Sequence, residues 1–386
     1  MNNMTLAESL ALLVDKIESL SQLDEDKGHL DHPEDLIFLQ GSPGAKQALN
    51  AMQQTVANPK TVTIKWDGYP ALIFGRGENG KFTIMDKHMF NKKDGTGRLV
   101  YSPEDFVAYD RARNVDRTGL HQLIGEIWPG LEKADNNKGF YWGDLLFSRP
   151  LIVDTNGLYK FKANPNGITY TVEPDSEVGK LMAKKQAGIA VHQFIPPDAP
   201  TTDYATPLNG SIGKLKNNSN IAIVPSAMPS TPNLKLDSKL FKAAQGEIAK
   251  YGQAVDQLMD TAPQARNTFN QLFTVYINKK IVAGDLQNLI NGFFDYVQSR
   301  PMTDAMRGKI TQHLQQNQEG LVGAFAIWIA IYKLKMSIVN QLASAAEASP
   351  VKGYLQNGVQ SQEGFVSQGL KYVDRLGFSR QNLAGR

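Results

Sequence analysis

The hydrophobic pattern changes period several times along the chain. Over residues 4–22 apolar side chains recur every three or four positions, which predicts a helix. "HLDHPEDLIFLQG" then carries helix-start chemistry at Asp31 and Pro33. "SPGAKQALNAMQQTVAN" predicts a second helix, with Ser42 as N-cap and Pro43 at its first position. From residue 60 the pattern shortens to β-branched and aromatic runs punctuated by Gly, Asn and Pro: "TVTIKWDGYPALIFGR", "ENGKFTIMDKHMF", "KGFYWGDLLFS", "GLYKFKA", "NGITYTVEP" and "AGIAVHQFI". "GRGENGKF" predicts a hairpin turn, and "YSPEDFVAYDRARN" a helix capped by Ser102 with Pro103 in its first turn. Residues 60–225 therefore read as α+β and rich in antiparallel strands. "PSAMPSTPNLKLD" is a linker, and residues 238–346 are helical throughout, on the 3.6-residue period of "FNQLFTVYINKKI", "DLQNLINGFFDYV" and "GLVGAFAIWIAIYKLKMSIVNQL". The last forty residues return to strand, with "EGFVSQGLKYVDR" as a hairpin closed around residues 367–369.

Composition adds limits. A chain of 386 residues, 41% hydrophobic and 20% charged, is that of a globular protein of two or three domains. The longest apolar run, "LVGAFAIWIAIY" from Leu321, is twelve residues and is followed by "KLKM". It is too short to span a bilayer, so no membrane is expected and the run reads as a buried helix. The opening stretch carries acidic residues and a helical period, unlike a secretory signal. With no cysteine, disulfides and thiolate chemistry are excluded and a cytoplasmic home is expected. The six histidines show no HExxH pairing, which argues against a zinc enzyme. A net charge of +3 is too small to argue for nucleic acid by itself.

The chemistry centres on "TVTIKWDGYPALIF", where Lys65 and Asp67 lie between two apolar runs. Such a pair is most often solvated. The alternative is a nucleophilic lysine, whose neutral amine attacks the α-phosphate of a nucleotide and holds it as a phosphoramidate. Partial burial or nearby positive charge would favour the neutral amine. Carboxylates would bind Mg²⁺ against the triphosphate, and a glycine would let the backbone pass close to the nucleotide. That chemistry asks for companions, and each has a candidate. Lys87 is expected on the strand after the hairpin. Asp144 follows Gly143 at a strand end. Glu363 precedes Gly364, and Lys371 lies on the return strand. Singly, each reads as a turn residue, a solvated strand residue or a cross-strand ion pair worth under about 1 kcal/mol. Their order after "KWDG" favours the chemical reading.

In these motifs the chain resembles the covalent nucleotidyltransferase superfamily of ATP-dependent DNA ligases, RNA ligases and mRNA-capping enzymes. Over nearly its whole length it is similar to a set of tailed-phage ligase-like proteins that share the "HPEDLIF", "KWDGYPALIFG" and "GDLLF" segments and the ending "KYVDRLGFSRQN". The resemblance implies an antiparallel-sheet adenylation fold with an all-helical domain inserted before the last strands. Its divisions would be 1–58, a helical region; 59–236, the core; 237–348, the helical domain; and 349–386, strands completing the core. It implies Lys65 as the adenylated nucleophile, with Ile64, Asp67 and Gly68 beside it. Lys87 falls where the family usually has an arginine, and Asp144 where it usually has a glutamate. Pro70 takes the place of the arginine that often follows the first motif in DNA ligases, and Arg76 is the nearest substitute. Two segments compete for the fourth and fifth motifs. Glu363 with Lys371 is preferred; the other is Ala187 with Lys214 and Lys216, which lacks the carboxylate. His192 or Phe194 on "GIAVHQF" would then pack on adenine, and Asp144 and Glu363 would hold the metal.

The implied reaction uses ATP and Mg²⁺ to seal a 5′-phosphate and a 3′-hydroxyl in nicked duplex DNA or a DNA–RNA hybrid, by a monomer acting on DNA or RNA ends. "DKHMFNKKDGTGR" supplies Lys87, His88, Lys92, Lys93 and Arg98 with Phe90 among them, a candidate phosphate-and-base surface. Lys239, Lys242, Lys279 and Lys280 of the helical block could clamp a duplex. The rivals are an RNA ligase, a protein AMP-transferase, and a structural protein that keeps the fold without the chemistry.

Overall fold

The computed structural model describes residues 30–163, 168–226, 228, 231–263, 266–355, 358, 360 and 364–379. The helix expected over residues 4–22 and the carboxylate of Glu363 lie outside them. The chain is α+β, with mostly antiparallel sheets and a helical block. It forms two compact units. One takes the residues up to Asn50 with Asp237–Lys335, and the other takes Ala51–Leu236 with Met336–Arg386.

The first unit is helical. After the short turns Pro33–Asp35 and Leu36–Gln40 and the start of helix Ser42–Ala57, it contains Ser238–Asp260, Arg266–Ala283, Leu289–Ser299, Asp304–Gln316 and the first part of Gln318–Glu347. Asp237 caps Ser238–Asp260, accepting from the amides of Lys239 and Leu240, and Thr303 caps Asp304–Gln316. Ser42 is not the cap its position predicted. It is the first helical residue, and its amide and hydroxyl donate to the Asp256 carboxylate at 2.7 and 2.6 Å. Phe38 stacks on Phe273 at 5.1 Å and Phe273 on Phe293 at 4.5 Å, which draws the early segment into this unit's core. The compact units divide the chain at Asn50, Leu236 and Lys335, beside the expected divisions at 58, 236 and 348. Glu34 and Asp35 of "HPED" serve this core: Lys335 donates to Glu34 at 2.5 Å with both side chains fully buried, and Trp328 donates to Asp35 at 2.8 Å. Charge is tolerated at such depth only when paired.

Helix Gln318–Glu347 is long and apolar enough to cross a membrane by length and composition alone, a test that the core helix of a soluble protein also passes. Most of its apolar stretch is buried inside the protein.

Among the described residues the second unit is built on three sheets. Its strands are β1 (Thr63–Lys65), β2 (Ala71–Arg76), β3 (Phe82–Met85), β4 (Gly139–Phe147), β5 (Tyr159–Lys162), β6 (Thr169–Val172), β7 (Ala187–Ile195), β8 (Thr206–Pro207), β9 (Ile221–Pro225), β10 (Val351–Tyr354), β11 (Gly364–Ser367) and β12 (Leu370–Tyr372). The largest sheet runs β3-β2-β4-β7-β8, with β9 parallel to β7; the others are β1-β11-β12 and β10-β6-β5. Strands that follow the helical block thus complete two sheets begun before it. The expected hairpin closes on Gln368 and Gly369, both at positive φ. The parallel β7–β9 pair, strand β10 and helix Thr118–Ala134 were not among the predicted elements. "IAIVP" and "VKGY" are too short to signal alone, and Pro129 interrupts the helical pattern.

Candidate functional site

Lys65 is the last residue of β1, and strand register determines its company. Lys65 lies opposite Gly364, Thr63 opposite Val366, and Val366 opposite Lys371. Directly paired residues share a face, and alternate residues along a strand share it too. Lys65, Gly364, Val366 and Lys371 therefore stand on one face, and both lysines are half-buried. Ile64, Phe365, Ser367, Leu370 and Tyr372 stand on the other, all nearly or fully inaccessible to water. That back face is held by Thr55 of helix Ser42–Ala57, whose hydroxyl lies 3.0 Å from that of Ser367 and 2.9 Å from that of Tyr372. Gly364 has no room for a side chain: a Cβ would lie 2.6 Å from Val373 Cγ2 and 2.8 Å from Tyr372 O. The edge of β1 is tied towards the large sheet, because the Ile64 amide donates to Ser226 O at 2.7 Å and Ser226 Oγ donates to Val191 O at 3.1 Å.

After Lys65 the chain makes a loop fastened at several points. Trp66 is buried with its ring centroid 4.9 Å from that of Tyr170. The Asp67 amide donates to the Tyr170 hydroxyl at 2.7 Å. Gly68 sits so close to β4 that a Cβ would lie 2.6 Å from Asp144 Cβ and 2.7 Å from Leu145 O. The Tyr69 amide donates to Leu145 O at 3.0 Å, and the Leu145 amide donates to Pro70 O at 3.1 Å. Strand β2 then begins with Ala71 opposite Asp144. The glycine of "KWDG" thus works here as the point of contact between the loop and the Asp144 strand. Asp144 is half-buried, with His192 Nε2 of β7 at 3.5 Å; the His192 ring tilts 5.8 Å from Trp142. Among the described residues no three His, Asp or Glu side chains gather as a closed metal cage. Of the two expected metal ligands, Asp144 stands here, and Glu363 lies outside the described residues.

Several expected residues stand elsewhere. Lys87 is not on a strand: β3 ends at Met85, and Lys87 opens the short helix Lys87–Phe90, whose cap Asp86 accepts from the Met89 amide at 2.7 Å. Arg76 ends β2, five residues from Ala71 and so roughly 17 Å along the strand from the loop. Its guanidinium donates to Asp135 O at 3.2 Å and Gly80 O at 3.1 Å, which occupies it structurally. Arg98 donates to Phe90 O at 2.9 Å, to Ala199 O at 2.8 Å and to Pro200 O, and lies over the Phe90 ring. Phe90 is itself wholly buried, so it offers no face to a base. Lys92 binds Asp94 at 3.3 Å and Thr96 at 2.7 Å. Within the basic segment the exposed basic groups are His88, 3.1 Å from Arg113 Nη1, and Lys93, which has the exposed Asp94 next to it in the chain. In the helical unit Lys280 pairs with Asp285 at 3.0 Å and Lys279 covers the Tyr296 ring, while Lys239 and Lys242 are exposed. Phe194 packs on Tyr141 at 5.3 Å. Lys214 and Lys216 lie in irregular chain, whereas Ala187 faces Ile221 of β9, so that segment forms no strand pair of the Gly364–Lys371 kind.

Tyr170 was missed by sequence reasoning. Its only signal was the alternation of "ITYTV", which marks it as inward-facing without saying what it meets.

A sequence profile of a family of unknown function, DUF6267, matches residues 27–386. The chain belongs to DUF6267. No curated protein and no solved structure matches it. The family match spans both compact units, so this DUF6267 member carries the Lys65 loop, the helical block and the closing strands within one family region.

Proposed function

We propose that this protein is an ATP-dependent polynucleotide ligase that works through a lysyl-adenylate on Lys65, and that its second unit is a nucleotidyltransferase core interrupted by the helical block. The observation that carries the reading is the shared face of Lys65 and Lys371, beside a loop packed through Gly68 onto Asp144. In the first step the Lys65 Nζ–phosphorus bond forms, the bond from the α-phosphorus to the bridging oxygen breaks, pyrophosphate leaves and the amine proton passes to solvent. A second ammonium on the same face offsets charge on the phosphate. AMP then passes to a 5′-phosphate, freeing Lys65, and a 3′-hydroxyl displaces it to seal the strand.

A single carboxylate beside a polyphosphate suits Mg²⁺, which is usually held by one or two carboxylates together with substrate phosphates. Asp144 would hold it, and the ion would neutralise the triphosphate. His192 positions the Asp144 carboxylate from the neighbouring strand.

The test is incubation with α-labelled ATP and Mg²⁺, beside Lys65→Ala and Lys371→Ala, followed by denaturing electrophoresis and intact mass. The expected result is label on the wild type, none on Lys65→Ala, and at least ~10²-fold slower labelling of Lys371→Ala, the scale for losing one preorganised charge-stabilising group. A folded wild type that neither takes label nor carries AMP already would refute the proposal. Labelled protein is then offered nicked DNA, RNA and hybrid duplexes.

A further inference from the structure

A cleft of about 380 Å³ opens beside Tyr69, between the chain after β4 and strand β5. Three cations line it: Arg149, Lys160 and Lys162. Strand β5 alternates buried and exposed positions, so Lys160 and Lys162 project from one face, ~7 Å apart along the strand. That is close to one nucleotide step of an extended single strand. On the same unit Lys138 has Glu78 at 3.1 Å and Lys92 has Asp94 at 3.3 Å. Among the described residues no carboxylate pairs with Arg149, Lys160 or Lys162. A solvated surface would be expected to intersperse both signs, whereas here three like charges converge on one concavity. At its rim Tyr69 is 64% exposed and Ile152 82% exposed. Tyr69 directly follows Asp67 and Gly68, and its backbone is fixed on Leu145.

We propose that this cleft binds a single strand of polynucleotide, its phosphates on Arg149, Lys160 and Lys162 and a base stacked on Tyr69. Concave positive charge with an aromatic platform is the chemistry that holds single strands without sequence preference. The inference deepens the ligase reading, since the strand would lie beside the Lys65 loop. Binding itself, however, needs neither ATP nor Lys65.

The experiment measures fluorescence anisotropy of fluorescein-labelled oligo(dT) with the full chain, across salt, for wild type, Lys160→Ala/Lys162→Ala and Tyr69→Ala, with inorganic tripolyphosphate as competitor. Removing two phosphate contacts should flatten the salt dependence, so that the loss of affinity between about 50 and 200 mM salt shrinks about seven-fold relative to wild type. Tyr69→Ala should weaken oligo(dT) about five-fold or more and leave tripolyphosphate competition unchanged. Three results would overturn the inference: no binding by wild type, a salt dependence unaltered by the double substitution, or an oligonucleotide affinity indifferent to Tyr69, which would mark a site for free polyphosphate. Labelling by ATP is measured separately. Oligonucleotide binding without label retains the cleft and removes the ligase reading. Label with binding indifferent to the three residues does the reverse.

Discussion

Replacing Tyr170 by Phe deletes one oxygen atom and tests whether the Lys65 loop is held from β6. The ring stays, along with its contact to Trp66 at 4.9 Å, so no cavity beyond the hydroxyl is created. What is lost is the acceptor for the Asp67 amide, a 2.7 Å bond to a side chain that is fully buried. A backbone donor left without its partner in such a place costs about 1–3 kcal/mol. For a folding unit of this size each kcal/mol lowers the melting temperature by roughly 2–4 °C. The effect on chemistry should be larger than this. The amide belongs to Asp67, two residues from the proposed nucleophile, and a misplacement of about 1 Å can cost ~10²-fold in rate. At 25 °C, well below the melting transition, Tyr170→Phe should stay folded by circular dichroism yet take label from ATP at least tenfold more slowly than wild type, within that ~10² range. A variant that melts and labels like wild type would refute the claim that Tyr170 holds the loop. One that melts early but labels at the wild-type rate would show that the position of Asp67 does not matter to Lys65.

Other substitutions test other links. Gly68→Ala pushes a methyl to 2.6 Å from Asp144 Cβ and 2.7 Å from Leu145 O; overpacking should cost about 1–3 kcal/mol, and labelling should fall with it, whereas unchanged labelling would separate the Asp144 strand from the chemistry. Asp110 is fully buried: burial pushes its carboxyl up, but hydrogen bonds from Arg117 and His121 outweigh that and hold it below the ordinary 3.8. Its stabilising contribution is therefore complete above that value and disappears as pH falls through its lower folded value; acid titrations of wild type and Asp110→Asn should converge there, and at neutral pH the variant should lose about 3 kcal/mol in denaturant melts. Glu34→Gln leaves the buried Lys335 ammonium without its counter-charge and should cost about 3–5 kcal/mol, while Glu34→Leu with Lys335→Met should recover most of it; a double variant no better than the single would contradict the ion-pair account.

Much of the local structure was legible in the residues. Strand β5 alternates as its "YKFK" pattern requires, and the hairpin of β11 and β12 closes at the Gln368 and Gly369 turn. Ser102 caps its helix, accepting from the Asp105 amide at 3.1 Å. Period, capping and turn chemistry act over a few residues, so a few residues reveal them. The candidate site was legible as residue types in order: a lysine, an aspartate and a glycine after one strand, an aspartate in another, a lysine in the last.

The sequence could not say which of these meet. Lys65 and Lys371 share a face because β1 pairs with β11 across the whole helical block, and a one-residue slip in either register would send one lysine to the buried side. Lys87 and Arg98 looked as basic as Lys371, but one starts a helix and the other is bound to three carbonyls. Phe90 looked like a base platform and is core, whereas Tyr69, overlooked, is an exposed ring. Residue type and period determined what chemistry the chain could carry and which local elements it would form. Pairing between strands distant in sequence, settled by the burial of Ile64, Phe365 and Tyr372 on one face, decided which of those groups stand together.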